Sequence, residues 1–95
     1  MIYFKESCKD LLLDVNVNPV SSLEYEINGE IQTITIEWLL DVYESSSDES
    51  QELFFKTLSA AVESKSREVV KKFFEDSGKL VLMAALSPLS ENASL

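Results

Sequence analysis

Histidine is absent from the chain and cysteine occurs once, as Cys8. Zinc and haem sites draw on histidine and on sets of cysteines, so neither group is expected. A Ser–His–Asp triad and a Cys–His pair both need an imidazole, and neither can be assembled. The lone thiol cannot close an internal disulfide, which fits a reducing, cytoplasmic setting. Glycine and proline occur twice each. Gly29 and Gly78 stand far apart, so there is no glycine-rich loop to cradle a phosphate. With so few breakers the chain favours long elements. The longest apolar run, Leu80 to Leu86, spans seven residues, whereas a membrane helix needs about 20. The opening MIYFKESCKD has no basic stretch ahead of a long apolar one, so no secretory leader is expected. No cofactor, no membrane and no catalytic activity are the expectations that follow.

Basic residues are also scarce. Eight Lys and Arg face seventeen Asp and Glu, for a net charge of -9. The imbalance is confined to one half. Residues 1–52 carry twelve acids and two lysines, net −10, while residues 53–95 carry five acids and six basic residues, net +1. An anionic first half argues against direct contact with nucleic acid and invites a basic protein partner. It also permits imitation of a polyanion. Once folded, acids from separate elements can still interleave with lysines, so the map in sequence is not yet a map in space.

What is present is a core. Hydrophobic residues make up 45% of 95 residues, with five Phe, three Tyr and one Trp, which is too apolar for a disordered chain. That length suits one domain, placed at residues 1–88 with a frayed tail over 89–95. A first helix is expected from about Lys5 to Asn16, with Cys8, Leu11, Leu12 and Val15 forming an apolar stripe. Cys8 lies on that stripe, so packing is its expected role. Glu6, Asp10 and Asp14 repeat every four residues beside it. Asn18-Pro19 closes the element.

Leu23 to Ile27 alternates apolar and acidic residues, Asn28-Gly29 follows, and Glu30 to Ile36 is β-prone. Asn-Gly between two such runs is a strong hairpin signal. A two-residue turn sets Leu23 opposite Ile34 and Tyr25 opposite Gln32; a bulged turn sets Tyr25 opposite Ile31. Ile2 to Phe4 offers a third strand. Thr35 then caps a second helix to Glu44 or Ser45, with Ile34 and Leu39 as a hydrophobic staple. After Ser45-Ser46-Ser47, Asp48 and Gln51 suggest a capping box for a third helix carrying Leu53, Phe54, Phe55, Leu58, Ala61 and Val62. A fourth segment over Arg67 to Ser77 places Val69, Val70, Phe73 and Phe74 together, and Gly78 reads as its stop. On its outer side Glu68–Lys72, Lys71–Glu75 and Glu75–Lys79 are spaced to neutralise a modest basic cluster. Lys79 to Ser87 is almost wholly apolar, helical by propensity, and is either buried or a docking patch. The expected fold is α+β and helix-dominated: an antiparallel hairpin, with room for a third strand, against four or five helices.

Asp41 to Glu52 has the length of a calcium-binding loop between helices. Tyr43, Ser45 and Ser46 stand where two carboxylates and the hinge glycine belong, so a serine linker is the expected reading. The candidate interaction surface is therefore acidic: Glu6, Asp10, Asp14, Glu24, Glu26, Asp41, Glu44, Asp48, Glu49 and Glu52. The leading expectation is a small interaction or regulatory protein that contacts a basic partner. Its surplus of apolar residues suggests self-association, most simply as a homodimer. The alternative is a nucleic-acid mimic of the viral anti-defence kind, which blocks a nucleic-acid-binding enzyme through Glu24, Glu26 and Glu30. A weak calcium or small-molecule site is a third reading.

Overall fold

The computed structural model describes residues 3–86. Their order is α1 (Phe4–Asp14), β1 (Ser22–Ile27), β2 (Glu30–Thr35), α2 (Ile36–Glu44), α3 (Asp48–Glu63) and α4 (Arg67–Leu86). This is a helix-dominated α+β arrangement of one two-stranded antiparallel hairpin and, among the described residues, four helices. The third strand expected at Ile2–Phe4 does not form at Phe4, which instead opens α1 and is buried. Ile2, Ser87, Pro88 and the expected tail over 89–95 lie outside the described residues.

Each element follows from a local rule. Asn28 and Gly29 both take positive φ, 55° and 81°, which is the two-residue turn that matches strand twist. That turn fixes the register at Leu23 opposite Ile34, Tyr25 opposite Gln32 and Glu26 opposite Ile31. Leu23 and Ile34 consequently point into the core while Glu24 and Glu26 face outward. Thr35 caps α2 by accepting the Trp38 N–H at 3.0 Å. Ile36, Leu39 and Leu40 are fully buried, but Trp38 stays 41% exposed, so α2 is less enclosed than its composition suggests.

The cap of α3 is Ser47, not Asp48: its hydroxyl accepts from the Ser50 N–H at 3.2 Å. The shift moves Asp48 and Glu49 into the first turn, beside the positive end of the helix dipole. It also frees the Gln51 amide, which donates to the carbonyls of Glu44 and Ser46 at 2.8 and 3.3 Å and so satisfies the end of α2. Gly78, expected as a stop, does not end α4, which runs on through it to Leu86.

What requires a glycine inside this helix lies across the fold. A Cβ on Gly78 would collide with the Tyr25 hydroxyl and come within 3.0 Å of Tyr25 Cζ and 3.1 Å of Ile34 Cδ1. The missing side chain lets the Tyr25 hydroxyl donate to the carbonyls of Phe74 and Glu75, at 3.2 and 3.0 Å. Burial, with Glu75 and Asp76 nearby, pushes the Tyr25 hydroxyl up to about 12, which keeps it a donor at neutral pH. Hairpin and α4 are joined there.

Sixteen buried apolar residues from all six elements and the α1–β1 connection form one cluster. Phe54 sits among aromatics of the other three helices: Phe4 of α1 at 5.8 Å, Tyr43 of α2 at 4.3 Å, and Phe73 and Phe74 of α4 at 4.9 and 6.0 Å between ring centres. Such pairs contribute about 0.5–1.5 kcal/mol each beyond their buried area.

Gly78→Ala tests the clamp. In an unobstructed helix this change gains about 1 kcal/mol; here overpacking should cost about 1–3 kcal/mol. Tyr25→Phe alone should cost about 1 kcal/mol, and in its background Gly78→Ala should cost less. Denaturant unfolding of the four proteins measures the coupling, and additive effects would contradict the contact.

Candidate functional site

Helix geometry divides α1 into two flanks. With 100° between successive residues, Phe4, Cys8, Leu12 and Val15 share the buried face. Lys5 and Lys9 lie on one side of it, and Ser7, Asp10 and Asp14 on the other. The lysine side meets α2. Lys5 Nζ lies 2.7 Å from Asp41 and 3.3 Å from Glu37, and Lys9 Nζ lies 3.2 Å from Glu37. The backbone N–H of Lys5 donates to Glu44 at 3.3 Å. Hydrogen bonds from Lys9 and Lys5 hold the Glu37 carboxyl below its ordinary range, and the Asp41 contact holds Lys5 above its own.

Both lysines of the first half are therefore engaged with α2. Glu6, Asp10, Asp14, Glu24, Glu26, Asp48, Glu49 and Glu52 are all exposed, and none is in any of the four ion pairs among the described residues. The fourth pair, Lys72–Asp76 at 3.6 Å, replaces the pairings expected along α4 and is too exposed to matter much.

These acids do not form one patch. The hairpin packs chiefly on α2 and α4, while α1 packs on α3. Glu24 and Glu26 therefore belong to a different part of the surface from Asp48 and Glu52. The stretch from Asp41 to Glu52 is likewise split: Asp41 turns to Lys5, whereas Asp48 and Glu52 line a cleft between α1 and α3.

That cleft has a volume of about 290 Å³ and is lined by Phe4, Ser7, Asp48, Gln51, Glu52 and Phe55. Asp48, Gln51, Glu52 and Phe55 follow one another at three- and four-residue spacing, so they share one side of α3. The result is an aromatic floor with two carboxylates at its edge. Phe4, Ser7, Gln51 and Phe55 were not visible as site residues in the sequence, because their meeting depends on how α1 crosses α3. No group of three or more potential metal ligands occurs among the described residues.

Cys8 is fully buried, and burial, with Glu44 nearby, pushes its thiol up to about 12. A thiol so protonated is a poor nucleophile. No known protein family, curated protein or solved structure significantly matches this chain.

The Glu37 network has a defined pH signature. A carboxyl held low in the fold stabilises it fully above the unfolded value, near 4.5, and that stabilisation disappears as pH falls through the folded value. Glu37→Gln should therefore lower the melting temperature at pH 7, and the gap from wild type should close as pH drops below 4.5. A gap that stays constant down to pH 2 would contradict the network.

Proposed function

We propose that this protein is a small, non-catalytic binding protein that recognises a basic segment of a protein partner through the acids of α1 and α3. One observation carries the reading. Lys5 and Lys9 are taken up by Glu37 and Asp41, leaving Glu6, Asp10, Asp14, Asp48, Glu49 and Glu52 exposed and outside every ion pair among the described residues. An uncompensated field of this kind speeds encounter with a cationic partner more than it raises final affinity. The absence of histidine and the burial of the only thiol favour binding over catalysis. A lone reduced cysteine suits the cytoplasm.

The test uses a fluorescein-labelled oligolysine peptide and fluorescence anisotropy. Binding should be readily measured at 20 mM salt and weaken roughly tenfold or more by 150 mM, as screening shortens the reach of the charges. The triple variant Glu6→Gln, Asp10→Asn, Asp14→Asn should lose most of the affinity. Greater loss from Glu24→Gln, Glu26→Gln, Glu30→Gln would move the activity to the hairpin and favour nucleic-acid mimicry. Salt-independent binding would sink both versions.

Self-association through α4 is part of the proposal. Leu80 is 68% exposed and Met83 46% exposed, and with Ala84 they share one outward stripe, an apolar face able to meet its two-fold copy. Sedimentation velocity should find a dimer at micromolar concentration and a monomer for Leu80→Glu. A wild-type monomer at those concentrations would remove this component and leave the acidic surface unaffected.

A further inference from the structure

We infer that the α1–α3 cleft is an anchor site for a single arginine side chain of the basic partner; the inference rests on the acidic-surface reading and narrows it. The cleft combines three features, two of which acids alone lack. Its floor is aromatic, from Phe4 and the half-buried Phe55. Its edge carries two carboxylates one helical turn apart, Asp48 and Glu52. Gln51 is fixed between them through its amide nitrogen, which donates to Glu44 and Ser46, so the amide oxygen remains as an acceptor.

Guanidinium fits this set better than ammonium. It is flat, it stacks on an aromatic face, and its fork of N–H donors serves several acceptors at once. A lysine head is a compact charge that keeps its water and gains little from the ring. The volume, about 290 Å³, lies at the small end for ligand pockets, which suits one side chain and not a larger molecule. Anions are disfavoured by Asp48 and Glu52. Lys56, one turn beyond Glu52, is exposed and forms no ion pair with it, so the Glu52 carboxylate is not already claimed from its own helix.

Two labelled peptides of equal length and charge, alternating glycine with arginine or with lysine, separate the cleft from the general field. The full-length wild-type protein should bind the arginine peptide about three- to fivefold more tightly, the range that a partly exposed cation–aromatic contact supplies. Asp48→Asn with Glu52→Gln should erase the preference. Phe55→Leu, which keeps bulk but removes the ring, should reduce it. Glu6→Gln with Asp10→Asn removes the same charge elsewhere on the surface and should preserve it. Circular dichroism melts establish that each variant is folded. Equal binding of the two peptides by wild type, or a preference that survives the cleft variants, overturns the arginine site while leaving the acidic surface standing. Failure of both peptides to bind at 20 mM salt overturns the acidic surface and the arginine site together.

Discussion

Phe54 is the constraint on which the arrangement of helices depends. Its ring lies within 4.3–6.0 Å of aromatic rings from α1, α2 and α4, so a single residue of α3 sets where the other three helices can approach. A planar ring is rigid and cannot fold to fit a smaller space as an aliphatic chain can, and interiors pack densely enough to transmit such a requirement. One consequence reaches the surface. Phe55 follows Phe54 directly, 100° further round α3, which turns it toward α1 and beneath the cleft. Core and candidate site are thus consecutive residues of one helix.

The charge pattern is a second consequence. Packing α1 against both α2 and α3 divides its polar residues between two neighbours. On the α2 side, lysines meet carboxylates at 2.7–3.3 Å. On the α3 side, Asp10 and Asp14 of α1 and Asp48 and Glu52 of α3 are all acidic and exposed. A chain with net charge -9 could have spread its few cations evenly. Instead, both lysines of the first half serve one seam, and the other side of α1 keeps its repulsion. The first arrangement stabilises the seam between α1 and α2; the second leaves like charges side by side in solvent.

Much of the fold was legible in the sequence because the signals are local. Asn28-Gly29 specified the hairpin but left two registers open, Thr35 specified the start of α2, and the spacing of Cys8, Leu12 and Val15 specified the buried face of α1. Where two neighbours were equally suited, the reading slipped by one, as with Ser47 and Asp48 at the cap of α3. Gly78 was misread for a deeper reason. A glycine after an apolar helical run resembles a stop, and only the distant Tyr25 hydroxyl explains why a glycine stands inside the helix. The site was less legible still. Acids were visible one by one, but their division into paired and unpaired sets depends on contacts between α1 and α2. The aromatic floor was hidden because Phe4 read as strand and Phe55 as core.

A cationic partner that is met by the acids of α1 and α3 and anchored in the cleft between them should leave the hairpin untouched. Titration of the nitrogen-15-labelled protein with the glycine–arginine peptide, followed by amide chemical shifts, tests it most directly. Saturable shifts are expected along α1 and the first turns of α3, largest at Ser7, Asp48, Gln51, Glu52 and Phe55, with the hairpin from Ser22 to Thr35 unmoved. Shifts of similar size across all acidic segments, or shifts confined to Glu24, Glu26 and Glu30, would contradict it.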